Sequence, residues 1–303
     1  MRLRDLLYTR TNDLRVVWRI LLFLVIGLLL SVLFVLPLQA VGATTEFGAR
    51  VLVLVAVLIA SYLLTRFVNR KPLAAIGFQV HPASFRELGV GVLLGFLAMA
   101  GIFLVLYFAG KAELFWTGVS PAGASWVVAE AVVFFAAAAL FEELLFRGYP
   151  FQTLMQGVTF LPAATLVSAA FALAHWFNPN ATTLSLLNIC LAGYLFSFAY
   201  LVTRGLWLPF GIHFGWNFSQ SVLFGFPTSG LHFDRYELFR SVTGEPAWLT
   251  GGAFGPEGGI LATAALAGLL WFVLKAGWLK APPGIVTLDS VEDLLPRRDA
   301  EAG

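Results

Sequence analysis

Eight stretches of roughly 20 predominantly apolar residues run along the 303-residue chain, at about 16–38, 48–68, 89–109, 126–156, 158–177, 183–203, 207–226 and 259–279. Each is long enough to cross the ~30 Å hydrocarbon core of a bilayer as a helix. The composition agrees: 59% of residues are hydrophobic and 12% charged, against about 25% charged in soluble domains. The expected fold is an all-α, polytopic transmembrane helical bundle of about eight spans. The sixth and seventh are divided by little more than Arg204-Gly205. Arg2, Arg4, Arg10 and Arg15 precede the first run as in a secretory signal, but the run exceeds a signal's ~7–15 apolar residues and no Ala-x-Ala site closes it. It reads as a retained span.

The basic residues orient the bundle, because short cytoplasmic loops are enriched in Lys and Arg. With the N-terminus inside, the inner segments collect Arg66, Arg70, Lys71, Arg86, Arg204, Lys275, Lys280, Arg297 and Arg298; the outer ones keep Arg50, Lys111, Arg235 and Arg240. Both termini are then cytoplasmic, and compactness suggests a bacterial plasma membrane. The net charge of +2 is dispersed along loop ends, which points away from nucleic acid and leaves membrane lipids as the standing partner; oligomeric state is not legible. Cys190 is the single cysteine, so no intramolecular disulfide or thiolate zinc cluster forms. Trp18, Trp116, Trp126, Trp207 and Trp278 suit interface anchors.

Four parts are expected: N-terminal helices and loops (1–125), a helical core (126–226), an outer loop with the last helix (227–280), and a polar, disordered tail (281–303). The 69–88 stretch, with Phe78, Phe85 and Arg86, suits an interfacial segment. The Gly- and Pro-rich stretch 227–258 suits an irregular loop or a partial cap over the bundle.

Against this background a few polar residues stand out. An ionisable side chain at the bilayer centre costs about 2.5–3.5 kcal/mol on insertion scales, so it persists where it pairs or functions. In the fourth run, Glu143 and Arg147 are four apart in the favourable order for a helical ion pair. Glu142 points about 100° away and is left for another partner. If the chain turns at Gly157, Glu142 and His175 lie within roughly one helical turn of the same depth. His213 and Asn217, also four apart, sit roughly 14–20 Å past Arg204 and overlap that depth. Each residue alone has a plain structural reading: a span histidine usually bonds to a neighbouring helix, a Glu-Arg pair is usually a brace, an asparagine is helix glue. Carboxylate, two imidazoles and carboxamide converging from the fourth, fifth and seventh helices describe a buried site. His81 and His232 fall in loops and read as surface residues.

These residues fall into three motifs: Glu142-Glu143-Leu144-Leu145-Phe146-Arg147, Phe171-Ala172-Leu173-Ala174-His175, and His213-Phe214-Gly215-Trp216-Asn217. In type and order they resemble the Glu-Glu-x-x-x-Arg, Phe-x-x-x-His and His-x-x-x-Asn/Asp motifs of the CPBP intramembrane proteases, the family that includes type II CAAX prenyl endopeptidases and bacteriocin-processing and immunity proteins. The resemblance covers about 126–226. It implies a functional set of Glu142, His175, His213 and Asn217, supported by Glu143, Arg147 and Phe171.

Two chemistries are open for peptide hydrolysis. Without a metal, Glu142 oriented by His175 activates water while His213 and Asn217 donate to the oxyanion. With one, Glu142, His175 and His213 form a His₂Glu set for Zn²⁺. The absence of a His-Glu-x-x-His run slightly favours the metal-free route. The leading expectation is an endopeptidase acting on a membrane-associated or lipidated, CAAX-like polypeptide. A non-enzymatic immunity or scaffold protein is the alternative, with a proton-coupled transporter behind it.

Overall fold

A computed structural model describes residues 6–9 and 13–288. The chain is mostly helical: α1 Val16–Ala40, α2 Glu46–Leu63, α3 Pro82–Phe108, α4 Pro121–Phe146, α5 Tyr149–Leu154, α6 Phe160–Ala174, α7 Thr183–Thr203, α8 Trp207–Phe218 and α9 Ile260–Lys275. Single π-helical turns extend α2 through Val68 and α8 through Leu223.

Among the described residues, five helical stretches are long and apolar enough to span a membrane: Val16–Ala40, Phe47–Val68, Pro82–Phe108, Pro121–Leu154 and Thr183–Thr203. The protein is therefore an integral membrane protein. At 15 residues α6 is only about 22 Å long, less than the ~30 Å hydrocarbon core. It stops at Ala174, and residues 175–180 continue as turns. The fourth apolar run is broken at Arg147-Gly148, where a Cβ on Gly148 would stand 2.4 Å from the Leu144 carbonyl oxygen. Pro150 then opens α5.

An all-α reading omits one feature. Strands β1 (Ala112–Trp116) and β2 (Phe239–Thr243) pair antiparallel, Ala112 opposite Thr243 and Trp116 opposite Phe239. The pair ties the loop after α3 to the segment between α8 and α9. The described part of the expected disordered tail is also placed: Leu288 is buried and its N–H donates to Gln152, while Lys71 Nζ donates to the Thr287 carbonyl at 2.8 Å. Residues 289–303 lie outside the described residues.

The closest helix pairing is α3 on α8, and glycine explains it. A Cβ on Gly95 would come 2.3 Å from the Ile212 carbonyl oxygen, and one on Gly215 would come 2.3 Å from that of Val92. In lipid, where hydrocarbon burial drives little helix association, such small residues let backbones meet and gain dispersion contacts. This fixes the height and rotation of α8, hence of His213, from a helix well outside 126–226.

Candidate active site

Helix α4 delivers two adjacent carboxylates to different surroundings. Glu143 is fully buried, and its Oε1 lies 3.3 Å from Nη1 of Arg147, also fully buried. Arg147 donates through Nη2 to the Gly193 carbonyl at 3.2 Å, and its guanidinium carbon stands 4.5 Å from the Phe171 ring centre and 5.1 Å from that of Phe196. Two ring faces and an anion stabilise a cation that hydrocarbon would otherwise reject. Phe171 therefore works on both sides, seating the arginine on its face while its ring meets His175 edge-on at 4.8 Å.

Glu143 does more than pair with Arg147. Its Oε1 also accepts from His213 Nδ1 at 2.9 Å. A carboxylate can only accept, so Nδ1 carries a hydrogen in this contact and Nε2 lies on the opposite side of the ring. There Nε2 stands 3.6 Å from Oε2 of Glu142, whose side chain is 27% exposed to a cavity. The imidazole is stacked on Phe196, ring centres 4.9 Å apart. Arg147, Glu143, His213 and Glu142 form one line of contact from the protein interior to the cavity wall.

The cavity has a volume of about 330 Å³ and is lined by Glu142, His175, His213 and Asn217 together. His175 is less engaged with Glu142 than the sequence suggests. Its Nδ1 is 2.7 Å from the Phe171 carbonyl oxygen, which makes Nδ1 the protonated nitrogen and leaves Nε2 as the ring's other polar atom. The partner of Glu142 is instead His213. Asn217, one turn beyond His213 on α8, is a half-buried part of the wall.

Glu257 is a second carboxylate lining this cavity, beside Glu142, and escaped the sequence analysis. It follows Pro256 in the segment expected to be an irregular cap, which folds inward. Glu257 Oε2 accepts from the Ser229 hydroxyl at 3.0 Å and from its N–H. The Asn178 side chain, just past His175, donates to the Ser229 carbonyl at 2.8 Å, and Asn188 of α7 donates to the Glu257 carbonyl at 2.8 Å. Burial pushes the Glu257 carboxyl above its ordinary range, opposed by the Ser229 bonds, the nearby His175 and Gln220. The signal available in sequence was a carboxylate set among glycines directly before the last apolar run.

The proposed zinc set does not fit this arrangement. Glu142 Oε2 and His213 Nε2, 3.6 Å apart, have the spacing of two tetrahedral ligands at ~2.0–2.2 Å. His175 does not join them: among the described residues the triad bringing ligand atoms within 4.8 Å of one another is His232, Asp234 and Glu237 on the outer segment. His232 is thus less isolated than expected. That triad is already charge-compensated, since Arg240 reaches Asp234 at 2.7 Å and Glu237 at 3.1 Å.

Residues 124–219 match the family model described as type II CAAX prenyl endopeptidase, Rce1-like. The match contains Glu142, His175, His213 and Asn217 and leaves out Glu257 and the glycines of α3. No curated protein and no solved structure matches the chain.

Proposed function

We propose that this integral membrane protein, which carries an Rce1-like domain at residues 124–219, is an intramembrane endopeptidase that hydrolyses a CAAX-like, membrane-associated or lipidated polypeptide. Its core is the space between the fourth, fifth and seventh spans, here α4, α6 and α8. The bundle counts about eight spans with both termini cytoplasmic.

The observation that carries this reading is the relay of Glu143 to His213 Nδ1 and His213 Nε2 to Glu142 at the cavity wall. With His213 in its neutral form, Nε2 and Glu142 Oε2, 3.6 Å apart, are two acceptors that can share one water, each at ~2.8 Å. Glu142 takes a proton from that water as its oxygen bonds to the scissile carbonyl carbon. The Asn217 amide, a donor in every protonation state, stabilises the oxyanion. Glu142 then returns the proton to the nitrogen as the C–N bond breaks, giving a new carboxyl and a free amine. His213 acts here as an acceptor oriented by Glu143 rather than as an oxyanion donor, because its Nδ1 hydrogen is already committed. His175 forms the facing wall with Glu257. The ligand geometry favours this glutamate chemistry over a three-ligand zinc centre, and no step needs an ion.

The test is cleavage, in proteoliposomes, of a lipidated peptide ending in a CAAX sequence. Glu142→Gln should lower turnover by at least about 10²- to 10⁴-fold, the usual worth of a general base, without moving the thermal unfolding midpoint. Unchanged turnover in that variant would remove Glu142 from the chemistry. Stoichiometric zinc in the purified protein, with turnover lost on chelation and restored by zinc, would overturn the metal-free route.

A further inference from the structure

One carboxylate of the cavity has no part in the chemistry proposed above. Glu257 lies outside the matched residues 124–219 and stands near His175 on the wall, with Asn178, Thr228 and Ser229 also lining the cavity. Its place is fixed from several directions. Ser229 donates to Oε2 through both its N–H and its hydroxyl, Asn178 holds the Ser229 carbonyl, and Asn188 holds the carbonyl of Glu257 itself. A carboxylate taken out of water is costly unless a cation accompanies it. Glu143 has Arg147 at 3.3 Å. The ionisable group beside Glu257 is His175, and no Lys or Arg among the described residues pairs with it.

The surroundings of Glu257 narrow down which cation would complete it. Because Oε2 already takes two bonds from Ser229, Oε1 is the oxygen that can take a further donor. Thr228, next to Ser229, is 5% exposed, and its hydroxyl oxygen has no hydrogen-bond partner among the described residues. An ammonium carries three N–H donors on a compact head and can bond to one carboxylate oxygen and one hydroxyl at once. A guanidinium takes a carboxylate best as a fork on two free oxygens, an arrangement that the Ser229 bonds obstruct. The site therefore suits lysine over arginine and repels an anion. The cavity volume of about 330 Å³ corresponds to roughly 9 Å across if round, and an extended chain covers about 3.3–3.6 Å per residue. Glu142 and Glu257 thus share a space two to three residues long.

Resting on the endopeptidase reading, we infer that Glu257, with Thr228, is a specificity determinant that binds the ammonium of a substrate lysine lying within about three residues of the cut bond.

The experiment uses lipidated CAAX peptides and the full-length protein in vesicles of neutral phosphatidylcholine, where no anionic lipid attracts lysine. Each position within three residues of the cut, the lipidated cysteine excepted, is filled in turn by lysine, Nε-acetyl-lysine or arginine. At one position wild type should show kcat/KM roughly 10- to 100-fold higher for lysine than for acetyl-lysine, the range for a hydrogen bond to a charged group. Arginine should fall between them. Glu257→Gln keeps an acceptor for Ser229 and loses the charge, so the ratio should drop to near one; Glu257→Asp should restore part of it. Thr228→Val should lower the ratio by about 2- to 10-fold, as loss of a neutral hydrogen bond does. Thermal unfolding checks each fold, and Thr228→Val decides if Glu257→Gln does not fold. A wild type with no preference for lysine at any position overturns the assignment, as does a wild-type ratio kept in the deciding variant; both leave the endopeptidase standing. A wild type that cleaves none of the peptides, the uncharged parent included, sinks the endopeptidase and this assignment together.

Discussion

Glu143 has two partners, and a pair of variants separates what each is worth. At 3.3 Å from Arg147, with both side chains fully buried, the Coulomb energy at an effective dielectric of 20 is about 5 kcal/mol. Breaking a buried pair by removing one member typically costs about 3–5 kcal/mol, because the survivor is left uncompensated. Glu143→Leu should therefore unfold the protein at markedly lower temperature or denaturant, and turnover will fall with it, which by itself says nothing of mechanism. The double variant Glu143→Leu, Arg147→Met removes both charges and keeps apolar volume, so most of the lost stability should return. Turnover should not return. His213 then has no acceptor for its Nδ1 hydrogen, and a misassigned tautomer has cost a comparable histidine about 10⁴-fold. The assays are thermal or denaturant unfolding in detergent alongside kcat on a CAAX peptide in proteoliposomes. A double variant restored in stability and within threefold of wild-type kcat would show that Glu143 only braces Arg147, and the orienting role would be wrong.

Three further outcomes are expected. Asn217→Ala should lower kcat by about 10²–10³-fold with little change in KM, as loss of an oxyanion donor does; an equal loss confined to KM would move Asn217 to substrate binding. Gly95→Leu must push α8 off α3, given a Cβ 2.3 Å from the Ile212 carbonyl oxygen; it should cost at least ~1–3 kcal/mol and depress turnover through the neighbouring His213, whereas Gly101→Leu, open around its Cβ position, should do neither. Burial raises the Glu257 carboxyl in the folded state, so the folded protein holds that proton more tightly than the unfolded chain does. Its contribution favours the fold at low pH and is lost as pH rises from the ordinary glutamate range through the folded value; unfolding midpoints across this window should decline in wild type and decline less in Glu257→Gln, and identical slopes would count against it.

Which polar residues line the cavity is partly legible in one dimension, because a charge inside an apolar run has few explanations. The Glu143 and Arg147 spacing implies their contact directly, since residues four apart on a helix must share a face. Which groups meet across helices is a different matter. His175 looks a natural partner for Glu142 by depth, but depth does not report rotation about the helix axis, and it is His213 that faces Glu142. The eight apolar runs mark where helices form, yet run length does not report helix length: α6 ends at Ala174 and the fourth run breaks at Gly148.

Sequence alone determines that the chain lives in a bilayer as helices and that it carries carboxylate, imidazole and amide groups too costly to be idle there. Those are consequences of local composition and of 3.6-residue periodicity. Tertiary structure alone decides that Glu143 serves Arg147 and His213 at once and that Glu257 folds in from a glycine-rich segment to join the cavity. The reason is physical: these relations rest on the packing of helices distant in the chain, such as α3 against α8 through Gly95 and Gly215, and close packing depends on shapes that no periodicity encodes.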